Sequence, residues 1–270
     1  MKKTFLIGGL VVLGLTILSG GGWWLTHRPQ TSTQTPTTEK KKKVSVPVNV
    51  IDQALRPFVS VLPTADGKNI LISVQSLKKT ATEAEYELEY QAGSLLQGAF
   101  GTIKLANLPS ETKVLLGSCS AGGACTYHTE VQGGTLLMRF AGPEDYALKT
   151  DWKYIENKTQ ETAFSSKDGK FQVSGTQLAK QKLLIISNSP GYPGTPPGTV
   201  VSESYILASN DAIKGKFKIS LRAKEAGKLK IMGWNGQAWV DFITTPDKDD
   251  DKFVSADVEL MRVYLVVNEK

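Results

Sequence analysis

The sequence predicts an all-β body of two antiparallel β-sandwiches, carried outside a membrane by one N-terminal apolar helix. Three observations predict it. Short runs alternating apolar and polar residues recur with Gly, Pro and Ser clusters between them, at a spacing of about 8–12 residues that suits antiparallel sandwiches. Long apolar stripes at the helical period are missing after residue 43. One uncharged stretch, Thr4 to Leu25, stands near the N-terminus between Lys2–Lys3 and His27–Arg28.

That stretch comes first. As a helix it is about 33 Å long, enough to cross a hydrocarbon layer of about 30 Å. Residues 1–27 therefore read as a transmembrane signal-anchor, partnered with the membrane through residues 4–25, with Trp23 and Trp24 at the interface. A signal peptide cut after Ser19-Gly20-Gly21 is the competing reading. The length and the paired tryptophans favour the anchor, since a signal core needs only about 7–15 apolar residues. The Lys pair before the span sets the body outside the cytoplasm under the first-flank rule, although Arg28 and Lys40–Lys43 on the far side count the other way.

Residues 28–43, RPQTSTQTPTTEKKKK, hold no large apolar side chain and read as an extended stalk. Lys40, Lys41, Lys42 and Lys43 suit contact with anionic lipid head groups or wall polymers, at about 1 kcal/mol per lysine near such a surface. The net charge of +6 lies wholly in residues 1–43; residues 44–270 carry 25 Lys/Arg and 25 Asp/Glu. A neutral body with dispersed basic residues argues against a nucleic-acid partner.

The body divides by composition into immunoglobulin-like sandwiches at 44–157 and 158–270, with the boundary near Asn157–Ser166. Val44, Val46, Val48 and Val50 alternate and predict an edge strand, its ladder interrupted by Pro47. NILISVQSL follows an Ala-Asp-Gly turn. In ATEAEYELEY the glutamates Glu83, Glu85, Glu87 and Glu89 line a wet face, while Ala84, Tyr86, Leu88 and Tyr90 line a core. On a strand such a charge row can be balanced by lysines of a neighbour. FGTIKLANL, TKVLLGSC, CTYHTEV and TLLMRFA complete the first sandwich. In the second, FQVSGTQ precedes KLLIISN, a continuous apolar run expected of a central strand. SPGYPGTPPGT is a stiff loop. SESYILAS, KFKISLR, KLKIMGW, AWVDFIT, KFVSADVEL and MRVYLVV read as strands, and Asn235-Gly236 predicts a type I′ hairpin turn.

Residues 196–268 carry a resemblance. The tyrosine of SESYIL, the alternating KFKISL strand, the WNGQAW hairpin, an acidic turn and FVSADVELMRVYLVV together resemble β-sandwich modules of bacterial cell-surface proteins. The match at the hairpin is partial, with Asn235 where the pattern often has a tryptophan or aspartate. The resemblance implies a structural or adhesive role and no catalytic residue.

The remaining constellations are few. Cys119 and Cys125 flank a Gly-Gly turn, so they are expected to face each other at a hairpin neck and to be disulfide-bonded outside the cytoplasm. Adding His128 gives three potential metal ligands where a structural site wants four, so no metal is assigned. His128 is the one histidine of the body and has no readable nucleophile or acid to complete a catalytic set. The chain is accordingly read as a non-enzyme with no cofactor. Asp247, Asp249 and Asp251 form a weak calcium candidate, with Lys252 in place of the loop glycine and Val258 in place of the closing glutamate. Trp152, Trp234 and Trp239 are candidates for an aromatic carbohydrate- or peptidoglycan-binding platform. Asn157-Lys-Thr fits a glycosylation acceptor. The leading functional expectation is a cell-envelope module for adhesion, binding or spacing. A hydrolase built on carboxylate pairs is the third reading, recognisable only from coordinates by a separation of about 5–9 Å.

Overall fold

The computed structural model describes residues 46–269. The expected span at 4–25 and the stalk at 28–43 lie outside these residues. Among the described residues no helix is long and apolar enough to cross a membrane.

The strands are β1 (Phe58–Pro63), β2 (Asn69–Ser76), β3 (Glu83–Ala92), β4 (Leu95–Lys104), β5 (Ser110–Leu115), β6 (Gly117–Cys119), β7 (Cys125–Tyr127), β8 (Val131–Ala141) and β9 (Tyr146–Glu156). They continue as β10 (Ala163–Ser165), β11 (Phe171–Ser174), β12 (Leu183–Ser189), β13 (Thr199–Val200), β14 (Ser204–Ser209), β15 (Phe217–Arg222) and β16 (Leu229–Trp234). The last are β17 (Trp239–Asp241), β18 (Thr245–Pro246), β19 (Phe253–Val258) and β20 (Val263–Asn268). The sheets are antiparallel, and the described helical turns are two short 3₁₀ segments, Gln53–Leu55 and Thr176–Lys180. The all-β expectation holds.

One ten-stranded sheet runs β17-β16-β20-β14-β12-β9-β8-β3-β4, with β13 added on β20. A three-stranded sheet, β1-β2-β5, and a five-stranded sheet, β10-β11-β15-β19-β18, pack against it. The alternation of side chains along shared strands shows that they take opposite faces. Ile185, Ile206 and Val263 join the core built with β1 and β2, whereas their neighbours Leu184, Ile186, Tyr205, Leu207 and Tyr264 join the core built with β11, β15 and β19. This is why KLLIISN is apolar throughout: β12 is covered on both sides. Residues Ser45–Lys270 cluster as one compact unit. The boundary expected near Asn157 is the point where the chain leaves β9 of the large sheet for β10 of the five-stranded one.

Beyond the reach of β1, the same face of β16 and β20 is covered by the Pro-rich loop. Tyr192 packs there on Met232, Leu265 and Val267. Trp239 Nε1 donates to Pro193 O at 3.0 Å, and Trp234 and Trp239 touch at 5.6 Å between ring centroids.

Three local expectations are corrected. Val48 forms only an isolated parallel bridge to Ala147, and Val48 and Val50 are 45% and 73% exposed, so no valine edge strand forms over 46–50. The chain instead kinks at Asn49, whose φ is 61°. The Asn49 amide then imitates a strand: it donates to Lys149 O at 2.9 Å and accepts from Lys149 N at 3.0 Å. This occupies the edge of β9 beyond the end of β12, whose pairing with β9 stops at Trp152. The second correction is the WNGQAW turn. Trp234 pairs with Trp239 across a four-residue loop, and Asn235 Oδ1 accepts from the amides of Gln237 and Ala238. An Asx turn has displaced the two-residue type I′ turn, because the asparagine side chain supplies the acceptor. Third, the strand expected to open at Phe100 opens at Leu95, after a tight Gly93-Ser94 turn.

Candidate functional site

Among the described residues a concavity of about 1000 Å³ lies where the outer face of the ten-stranded sheet meets β10. Its floor is the sheet: Glu89 and Gln91 of β3, Leu96 of β4, Gly133 to Thr135 of β8, and Lys153 to Glu156 of β9. Its wall is Glu161 and the β10 segment from Phe164 to Lys167.

The outer face follows from the β3 alternation. Ala84, Tyr86, Leu88 and Tyr90 are buried, which leaves the glutamates of the same strand facing out. Part of the balancing charge comes from a lysine of one neighbour, as expected, and part from an arginine of the other. Arg139 of β8 pairs with Glu87 at 2.8 Å, Lys104 of β4 pairs with Glu83, and Thr135 donates to Glu89 at 3.2 Å.

The wall is held by polar side chains, buried at Asn157 and partly exposed at Asp168. Asn157, 6% exposed, donates to Leu178 O and Glu161 O and accepts from Glu161 N. Its amide is thus consumed inside the fold, which removes Asn157 as a glycosylation acceptor. At the other end, Asp168 accepts from Ser166 Oγ at 2.5 Å and from Tyr205 OH at 2.8 Å. Burial works against the Asp168 carboxylate, but the hydrogen bonds from Ser166, Tyr205 and the Lys170 amide outweigh it and hold the pKa below its ordinary value. Lys167 reaches down to Asp151 at 2.8 Å and so clips the wall to the floor. Beneath, the Tyr154 hydroxyl donates to Gly67 O at 2.9 Å, and burial, with Glu156 and Asp66 nearby, pushes its pKa up to about 12.

Chemically the groove offers carboxylates, ammonium groups, amides and apolar contacts from Leu96, Ile155 and Phe164. Each carboxylate already has a partner: Glu89 has Thr135, Glu156 has Lys158 at 2.5 Å, and Glu161 has Thr159 at 3.2 Å. The arrangement suits recognition of an extended, hydroxyl-rich or mixed-charge chain.

The residues singled out by sequence lie elsewhere. Cys119 and Cys125 are bonded at the neck of the exposed β6–β7 hairpin, with Cα atoms 4.0 Å apart. His128 is withdrawn from the cysteines: its Nδ1 meets Tyr90 OH at 3.0 Å. Asp247 Oδ1 accepts from the Asp249 and Asp250 amides, and Asp250 pairs with Arg222 at 2.9 Å. Among the described residues no three His, Cys, Asp or Glu side chains converge to hold a metal ion. Trp152 is 1% exposed and packs edge-on against Tyr90, so it presents no face to solvent. Trp234 and Trp239 are half-buried against the Pro-rich loop, so close that a Cβ added at Gly194 would lie 3.3 Å from the Trp234 ring.

Sequence reading missed the groove, although one signal pointed to it. A Gly-Gly pair stands at 133–134 inside β8, and glycine within a strand marks a bulge or a close backbone approach. Compared with known protein families, curated proteins and solved structures, the chain matches none of them.

Proposed function

We propose that this chain is a membrane-anchored, extracytoplasmic β-sandwich protein that acts by binding, as an adhesion, binding or spacing module of the cell envelope. The observation that carries the reading is the groove between the large sheet and β10, with a mixed-charge lining and partnered carboxylates. A wall polymer, with sugar hydroxyls and peptide amines and carboxylates, is the ligand class that lining complements. The uncharged stretch at 4–25 and the Lys-rich stalk support the placement at a membrane.

Co-sedimentation of the full-length chain with purified peptidoglycan sacculi tests the binding. Lys153→Glu and Glu161→Lys each reverse a charge in the groove and are expected to lower the bound fraction at least about tenfold, the effect of losing ~1.4 kcal/mol. A wild-type chain that stays in the supernatant rejects the wall polymer. Binding that survives both changes but is lost in Trp234→Ala transfers the function to an aromatic platform beside the Pro-rich loop.

The compartment is tested separately. A membrane-impermeant maleimide applied to intact cells is expected to label Cys119 and Cys125 only after reduction. Labelling that requires cell lysis puts the body on the cytoplasmic side and removes the envelope role.

A further inference from the structure

The ten-stranded sheet ends at β4, and that edge is long and apolar, with no further strand paired to it among the described residues. Leu95, Leu96 and Phe100 are 63%, 68% and 87% exposed, and no charge occurs between Leu95 and Ile103. Edges of this kind are normally blunted by charge, proline or a covering segment, because they template pairing with another strand.

The hydrogen-bond phase shows which residues are open. Leu105 N donates to Thr82 O, in the same register as the β3–β4 ladder. Antiparallel pairs alternate, so odd-numbered residues of β4 bond to β3, and the backbone N–H and C=O of the even-numbered ones point outward. Lys104 O, the last outward carbonyl, is taken by Ser110 Oγ at 2.6 Å. The open ladder is therefore Leu96, Gly98, Phe100 and Thr102, and its midpoint is Ala99.

We propose that β4 pairs with β4 of a second copy about a two-fold axis at Ala99, making one sheet continuous through both molecules. In that register Leu96 faces Thr102 of the second copy and Gly98 faces Phe100, and all four open residues are used. A two-fold contact must be self-complementary, and a ladder centred on its own midpoint is. The pairing also accounts for Gly98. A Cβ there would meet nothing closer than Leu88 O at 3.6 Å, so the isolated chain does not require glycine. In the pair, the absent side chain makes room for the Phe100 ring, the packing by which aromatics rescue glycines in sheets. Charge favours a second copy over a foreign basic strand. The strand itself carries no charge from Leu95 to Ile103, so the edge offers a charged foreign strand no ion pair and matches the uncharged strand of a second copy. Because the axis is normal to the sheet, both grooves would open on the same face, so that one polymer could engage both.

Sedimentation equilibrium of the full-length chain over the micromolar range tests this. The interface is at the small end for protein pairs, so a reversible dimer with a micromolar Kd is expected. Phe100→Lys should raise that Kd at least about tenfold by placing a charge on the edge. Gly98→Pro should do the same, because the amide it removes faces outward and the β3–β4 ladder is untouched. Ala99→Cys should give an oxidised, covalently linked dimer, since residues facing each other at a non-hydrogen-bonded position have Cα atoms about 4.5 Å apart. A monomer throughout the range, or a dimer unaffected by both Phe100→Lys and Gly98→Pro, overturns the proposal. So does a monomer in which Phe100→Lys speeds amide exchange at residues 96–102, which would show the edge covered by the chain's own N-terminal segment.

Discussion

Gly133→Ala is expected to lower stability by about 2–6 kcal/mol, the sum of a backbone strain of about 1–3 kcal/mol and a comparable packing penalty. Gly133 has φ 93°, in the region that side chains resist, and a Cβ there would sit 2.4 Å from Trp152 O and 2.7 Å from Lys153 Cα. Those are backbone atoms of β9, so no rotamer change relieves the clash. The next residue is equally confined, with a Cβ at Gly134 falling 2.0 Å from Glu89 O on β3. The cause is a β-bulge: pairing with β3 slips between Gln91 and Ala92, so that β8 bends where it passes between its neighbours. Gly134 stands opposite Tyr90 on one side and Trp152 on the other, and with no side chain between them those rings meet edge-on at 6.1 Å. Urea denaturation of Gly133→Ala measures the loss, and the near-UV signal of Trp152 should change with it. Gly123→Ala is the control. Its φ is 84°, yet a Cβ there meets nothing within 4 Å, so it should show the strain alone. Equal losses at both sites would mean that the approach of β9 and β3 contributes nothing.

The same glycine pair shows where sequence reading ends. Alternation along β3 is a local signal, and Tyr86, Leu88 and Tyr90 turn inward as their spacing requires. The disulfide is equally local, since a turn of five residues brings Cys119 opposite Cys125. The double burial of β12 is written in its apolar run, but the identity of its two covers is not. One cover comes from β1 and β2 and the other from β11, β15 and β19, so the information lies more than a hundred residues away on one side. The tryptophans were legible as important and not as to role: Trp152 went to the core, and Trp234 and Trp239 went to hold a loop whose four prolines were visible from the start. The valines at 48 and 50 failed because a side-chain amide at Asn49 satisfied the β9 edge more directly than a strand could. The groove needed β3, β4, β8, β9 and β10 together, and no period or spacing encodes such a meeting.

Asp168→Asn is expected to cost about 1.5–3 kcal/mol at neutral pH, the usual scale for hydrogen bonds to a charged group. The carboxylate closes the β10–β11 turn from inside, accepting from Ser166 and Tyr205, and both of those donors are buried. Tyr205 is stacked on Phe171 at 5.4 Å in the second core, so the turn and the core are joined through this one acidic group. The asparagine keeps the shape but loses the charge and turns one acceptor into a donor. The pH dependence separates this from a packing effect. The folded-state pKa of Asp168 lies below its ordinary value of 3.8, so the unfolded chain binds the proton more readily. The stabilisation is therefore complete above that ordinary value and disappears as pH falls through the folded-state pKa. Wild type and Asp168→Asn should differ by the full amount at pH 7 and converge in strong acid. Tyr205→Phe is expected to cost about 1 kcal/mol and to raise the Asp168 pKa, because burial then works against the carboxylate with one donor fewer. In the double variant the two losses should fall short of adding, by the energy of the shared bond. Strict additivity, or a gap between wild type and Asp168→Asn that stays constant into acid, would show that the Tyr205–Asp168 contact carries no charge-assisted stabilisation. The wall of the groove would then be held by Asn157 and Lys167 alone.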